Sequence, residues 1–526
     1  MKSIFHTPQT ASMKVVFNTG ILYAKMLITM GISLYSVRLV LNALGVVDYG
    51  VFNLIAGVIA MLSFLNGAMT TSTQRYLSFH QGTGDFEMQK KIFTNSWILH
   101  IGIGLIVVVL LLILTPLLFN GFLNIPTDRI PTAKAVYYFM TASVFFTIIS
   151  VPFTASLNAH ENMLWIAIVT FVESFLKLGI AISLVCFVQT ERLLYYGLLM
   201  AGLSIVSFTL YATFCLEKYK ECTVNDYIID KPLMEELLSF SGWNLFGAFA
   251  GVGRNQGLAI LLNVFFGTVV NAAYGIANQV ASQLQFFSAA MLHALNPQIM
   301  KSEGDGDHNR MLRLSMMASK FGFFLVAIIA IPCIFEMPAI LKVWLKNVPE
   351  NTVVFCSLIL TGTLIAQLTI GLQSSFQAIG KIKKYQIVVG SIIMSNIPIA
   401  YILLKFNLHP YIVFITYIIL EIIASFARLF LIKEITSLST IEYINKVYFK
   451  TIIPIISSVS ICFCMIFFVH IGFRFLITIF LSIIVFSITM YVFGLSNDEK
   501  QIIDIMMEKI PVLNRVARKR VINNEK

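Results

Sequence analysis

Apolar runs of about twenty residues recur along almost the whole chain, separated by short clusters of polar and charged residues. A helix needs ~20 apolar residues to cross the hydrocarbon core of a bilayer. The spacing predicts an all-α integral membrane protein of about fourteen transmembrane helices. The first seven fall near 18–40, 46–72, 93–119, 133–157, 163–188, 193–215 and 238–262. The others fall near 270–297, 314–334, 351–378, 385–404, 410–431, 450–470 and 474–494. No connection is long enough to hold a separate soluble domain. The first apolar run is too long for the core of a signal peptide and lacks a small-residue cleavage pattern, so it reads as a retained helix.

Two pairs of similar segments divide the chain. Leu44-Gly45 with Tyr49-Gly50-Val51-Phe52-Asn53 matches Phe266-Gly267 with Tyr274-Gly275-Ile276-Ala277-Asn278, the Tyr-Gly-x-x-Asn part at an offset of 225. Ser156-Leu157-Asn158-Ala159 matches Ser375-Phe376-Gln377-Ala378 at an offset of 219. The repeat joins helix 2 to helix 8 and helix 4 to helix 10, a shift of six. An even shift inserts both halves the same way up, related by a pseudo-two-fold axis along the membrane normal. The expected organisation is an N-lobe over 1–217, a C-lobe over 218–432, two further helices over 433–494 and a basic tail over 495–526. Two such lobes would enclose a cleft near the midplane, where substrate sites lie in transporters of this plan.

Polar residues inside the predicted spans mark its candidate lining. Helix 1 carries Asn18, Lys25, Thr29, Ser33 and Ser36 within a sector of roughly 80°, opposite an apolar face. A lysine in a span is a candidate for a substrate path, or it snorkels to the near interface. Helix 8 has the longest stripe, Asn271, Gly275, Asn278, Ser282, Gln285, His293 and Asn296. A wet cavity explains that stripe, as would polar packing between helices. Helix 7 holds Asn244, Arg254 and Asn255, and the planar guanidinium of Arg254 suits bidentate recognition of phosphate. Glu173 and Lys177 on helix 5 stand i, i+4 with the acid first, the favourable order for an ion pair. They read as a structural pair or as groups responding to a proton or substrate. Glu421 on helix 12 has no partner evident in the sequence. Asp85, Asp305 and Asp307, in Gly-rich loops, read as solvated turn residues.

Composition strengthens the membrane reading: 58% of the 526 residues are hydrophobic, 12% are charged, and mean hydropathy is +0.83. A soluble domain carries about 25% charged residues. The net charge of +11 could suggest nucleic acid, but its distribution does not. Of 37 Lys and Arg residues, 25 gather at the ends and loops on the side of the N-terminus, and 8 lie opposite. By the positive-inside rule both termini are then cytoplasmic. The tail residues Arg515, Arg518, Lys519 and Arg520 would lie against anionic lipid. The seven cysteines have no metal-ligand spacing and read as small apolar residues. There is no nucleotide-binding loop, no acidic catalytic cluster and no long outer loop, so neither an ATPase nor a membrane polymerase is indicated.

The helical plan, the six-plus-six repeat and the segment Arg38-x5-Leu44-Gly45-x2-Asp48-Tyr49-Gly50 resemble the polysaccharide-exporter branch of the multidrug/oligosaccharidyl-lipid/polysaccharide (MOP) flippases. Phe376-Gln377-Ala378-Ile379-Gly380-Lys381 is similar to that branch too. The resemblance implies a MATE-like fold and alternating access. It also implies an O-antigen or capsule flippase of a bacterial inner membrane, moving undecaprenyl-pyrophosphate-linked oligosaccharide without a cofactor or metal. Membrane lipids, a polysaccharide polymerase and chain-length machinery are the partners it implies, and nucleic acid is not among them. Many relatives carry an acid in helix 7, where this chain reads Arg254-Asn255-Gln256. Candidate cavity residues are thus Lys25, Arg254, Asn244, Asn255, Asn278, Gln285, His293, Glu173 and Lys177. The rivals are a multidrug or cation antiporter of the same superfamily, a peptidoglycan-precursor flippase, and a membrane glycosyltransferase or polymerase.

Overall fold

The computed structural model describes residues 11–60, 63–122, 125–188, 190–223, 229–345, 348–469 and 472–500, all of them helix or short connection. The tail residues Arg515, Arg518, Lys519 and Arg520 lie outside the described residues. The helices in chain order are α1 (11–44), α2 (46–60 and 63–82), α3 (Phe86–Asn120), α4 (Thr127–Ala159), α5 (Met163–Cys186), α6 (Arg192–Lys218) and α7 (Lys231–Gly267). Then follow α8 (268–304), α9 (His308–Leu345), α10 (352–379), α11 (Ile382–Lys405), α12 (Ile412–Ile435), α13 (Thr440–Phe468) and α14 (Arg474–Gly494).

Fewer than fourteen of these satisfy length and apolarity for a span. Among the described residues eleven do, or twelve if the bent α10, broken by 41° between Gln367 and Ile370, is one span. The two that fail are α2 and α8. α2 contains the polar run Thr70-Thr71-Ser72-Thr73-Gln74-Arg75, and α8 interrupts its apolar positions with the stripe read above. In α8 the polarity that lowers hydropathy is where candidate function was placed.

The internal repeat is written in backbone geometry. α1 passes into α2 at Gly45 (φ 75°, ψ 170°), and α7 passes into α8 at Gly267 (φ 81°, ψ −170°), 222 residues later. Only glycine adopts that region without strain. The same offset relates Gly84 (φ 72°) to Gly306 (φ 78°), each closing the turn after α2 or α8. It also relates Asp85 to Asp307: Asp85 Oδ1 accepts from Met88 N–H at 3.0 Å, and Asp307 Oδ1 from Arg310 N–H at 2.9 Å. These aspartates are helix caps, each capping the helix that leaves the turn.

Core packing shows how the lobes sit. One continuous apolar cluster joins both halves at one end, running through Leu77, Phe93, Leu157, Phe240, Ile299 and Phe376. At the other end the cores separate, Val51, Tyr137 and Ile148 in one half and Leu262, Ala277 and Phe414 in the other. The molecule is therefore a V, closed where α2, α4, α8 and α10 end and open where α1 meets α2 and α7 meets α8. At the apex α2 and α8 cross closely: a Cβ on Gly82 would strike Lys301 O, and one on Gly304 would strike Phe79 O. Both members of each pair are displaced by 222, so the contact maps onto itself as at a two-fold axis. α13 and α14 dock outside the repeat on α9, where Arg474 forms a two-pronged pair with Glu336 at 2.9 and 3.1 Å.

Candidate functional site

α8 presents its polar stripe to open space within the V. Gly275, Gln279, Ser282, Gln285 and His293 are exposed on one face, while Ala273, Ala277, Ala281, Ser288 and Ala294 are buried on the other. Asn278, Gln279, Ser282 and Gln285 line a cavity of 490 Å³ together with Arg254 and Tyr417. Gln285 is steadied by Thr363, to whose Oγ1 it donates at 3.2 Å. The middle of the stripe thus faces a cavity, while Asn296 at its far end packs against α10, accepting from Ser374 Oγ at 2.7 Å.

Arg254 stands on α7 at the cavity edge with 15% of its side chain exposed. It is paired across the lobe. Its Nη1 donates to Glu421 Oε1 at 2.8 Å, and its guanidinium lies 4.5 Å over the Tyr417 ring. Glu421 in turn faces a second arginine, Arg428 Nη2, at 3.6 Å. Arg428 reaches the break in α10 by donating to Thr369 Oγ1 at 2.9 Å, while Tyr443 OH donates to the freed Leu368 carbonyl at 2.8 Å. A broken helix at membrane depth is tolerated where such groups take up its backbone. Two guanidiniums thus share one carboxylate, and the cluster keeps one excess positive charge. In a low-dielectric wall that excess attracts an anion strongly.

The other candidates separate. Asn255 is exposed beside Arg254 and gives its carbonyl to Tyr274 OH at 3.0 Å. Asn244 is buried, donating to Phe240 O at 3.0 Å and accepting from Gln377 Nε2 at 3.2 Å. It ties α7 to α10 and has no reach into the cavity, which corrects its reading as a lining residue. Lys25 is half-buried on α1, close enough to Glu173 and to His293 to interact with their charge. Tyr23 crosses the same gap, donating to Phe287 O at 2.7 Å. Glu173 and Lys177 line a smaller cavity of 290 Å³ in the N-lobe with Ser143, Thr147 and Tyr211. No ion pair joins them, so the structural pairing expected at i, i+4 is not formed. Lys177 is exposed and Glu173 half-buried.

Sequence reading missed the apex. Glu161, left-handed at φ 58° and buried, accepts from Gln298 Nε2 at 2.6 Å and from Lys301 Nζ at 2.9 Å. Asn18 Nδ2 donates to the Glu161 carbonyl at 3.0 Å. Arg75 on α2 donates to Gln377 O at 3.1 Å and Ala378 O at 3.3 Å. So α8 grips the end of α4, and α2 grips the end of α10. For Arg428 a signal existed: Tyr417, Glu421, Ser425 and Arg428 share one face of α12.

Residues 15–303 match the family described as polysaccharide biosynthesis protein. No curated protein matches the sequence significantly. Among solved structures the chain is similar to an outward-facing multidrug resistance MATE family transporter of the MOP superfamily, at 13% identity and TM-score 0.69, covering 80% of this chain and 94% of that one. A MOP superfamily transporter from Pyrococcus furiosus, described as having a binding pocket of reverse polarity, matches at 13% identity and TM-score 0.67 over 80% and 94%. A Vibrio cholerae MATE transporter variant matches at 17% identity and TM-score 0.66 over 82% and 98%. At such identities the likeness is one of fold. The two-lobed helical V and the family match agree: the chain belongs to the polysaccharide biosynthesis protein family and has the MATE fold.

Proposed function

We propose that this protein is a flippase for a pyrophosphate-linked oligosaccharide on a polyprenyl carrier, working by alternating access across a bacterial inner membrane. The observation that carries the reading is the chamber wall in which Arg254 and Arg428 share Glu421 beside the amide stripe of α8. A pyrophosphate and a sugar chain cannot enter hydrocarbon unaided, because an unpaired buried charge is very costly. The excess guanidinium charge offers phosphate a counter-charge, and Lys25, near His293 of α8, offers another cation further along the cleft. Asn278, Gln279, Ser282 and Gln285 offer donors and acceptors in place of the sugar's water. The lipid tail stays in the bilayer through the gap between the lobes.

With the termini cytoplasmic, as the charge asymmetry implies, the apex of the V is the cytoplasmic gate and the chamber faces outward. Loading from the cytoplasm then requires the Gly82–Gly304 crossing and the Glu161–Lys301 pair to part. Depletion in a bacterium that depends on the protein, followed by locating the lipid-linked oligosaccharide by leaflet, tests the reading. Accumulation on the cytoplasmic side, rescued by wild type and not by Arg254→Gln at equal expression, supports it. An unchanged precursor distribution and unchanged surface glycan would dispose of it.

A further inference from the structure

A second cavity lies outside the lobe cleft, between the first turns of α9, the first turns of α13 and the residues after α14. Its volume is 330 Å³. Five cations line it: Arg310, Arg313, Lys320, Lys446 and Lys450. Two of them are neutralised, Lys320 by Glu499 at 2.5 Å and Lys446 by Glu442 at 2.6 Å. Among the described residues the Arg310 side chain meets the amide oxygen of Gln298, at 3.4 Å. Arg313 and Lys450 have no carboxylate within ion-pair distance among the described residues. Asp498 on the rim leaves the cup still positive.

Position says what kind of anion would settle there. Leu314 and Met317 form an apolar side to the cup. One turn along α13 the surface becomes wholly apolar and exposed, at Phe449, Ile452, Ile453 and Ile456. A basic cup opening onto a lipid-facing helix at the end of its span is placed at headgroup depth, where Lys/Arg pockets between helices take anionic headgroups. We propose that the cup holds the phosphate of an anionic phospholipid of the surrounding leaflet, its acyl chains lying along α13. The shared chemistry is a phosphate ester, which the transported lipid pyrophosphate also carries. The cup lies on the far side of α9 from the chamber, which favours a resident phospholipid over the substrate.

The full chain, delipidated in detergent, is titrated with phosphatidylglycerol, phosphatidylcholine, inorganic phosphate and undecaprenyl pyrophosphate, with bound lipid read by native mass spectrometry and stability by thermal melting. Phosphatidylglycerol adducts and a raised Tm are expected, absent with phosphatidylcholine and with inorganic phosphate. In Arg313→Gln/Lys450→Gln phosphatidylglycerol affinity should fall roughly tenfold or more, with the lipid-free Tm unchanged. Lys384→Gln, a surface control elsewhere at the closed end, should bind as wild type. Equal binding by the double variant, equal binding of phosphatidylcholine, the same effect from inorganic phosphate, or a preference for the polyprenyl pyrophosphate lost in the same variant would each overturn the proposal.

Discussion

Arg254 and Glu421 stand 167 residues apart in sequence and 2.8 Å apart in space. Leaving one member of a buried pair unmatched costs about 3–5 kcal/mol. Glu421→Gln strands two guanidiniums, whereas Arg254→Met leaves Glu421 beside Arg428. Thermal melting in detergent should therefore show Glu421→Gln as clearly the less stable of the two. The reverse order would mean that Arg428 contributes no neutralisation. Asn244 offers a contrast with Asn278. Asn244→Ala removes a buried bridge and should cost about 1–3 kcal/mol while leaving transport per folded molecule intact. Asn278→Ala should spare the fold and slow transport. Angular position on a helix made both asparagines visible in the sequence, but it cannot distinguish a cavity from a neighbouring helix. Arg254 was legible because a cation in a span is rare. Its partner was not, because nothing local links α7 to α12.

The two glycine breaks belong to the scale of elements. Gly45 and Gly267 occupy a region closed to side chains, and forcing an L-residue there costs about 1–3 kcal/mol. Gly45→Ala and Gly267→Ala should lower the Tm by similar amounts, since the repeat gives them equivalent surroundings; a large effect at one and none at the other would contradict that equivalence. These glycines were readable as a repeat. The echo of Gly84-Asp85 in Gly306-Asp307 was equally present, yet the aspartates read only as solvated turn residues, since capping depends on the following N–H groups. Length and apolarity alone do not confirm all fourteen expected spans among the described residues. α8 must be polar to line a chamber, and polarity is what hydropathy counts against a span.

For the whole molecule, the account rests on one end of the V being held shut by contacts that can part. The apex joins the lobes through Glu161 with Gln298 and Lys301, through Arg75 with the end of α10, and through the glycine crossing. Gly304→Leu cannot pack against Phe79 O and should bias the protein towards opening at this end. Glu161→Gln weakens the latch without adding bulk and should do so more mildly. None of this was legible beforehand, because it lies in pairings between halves that a single sequence does not display. The most direct measurement is labelling of Gln279→Cys and Gln285→Cys, in a background freed of native cysteines, with a membrane-impermeant thiol reagent added from either side. Both positions should react from the side on which the V is open in the otherwise unaltered protein, and reactivity should shift towards the side of the apex when Gly304→Leu is added. Cysteines at these positions that react from neither side would show that no chamber exists.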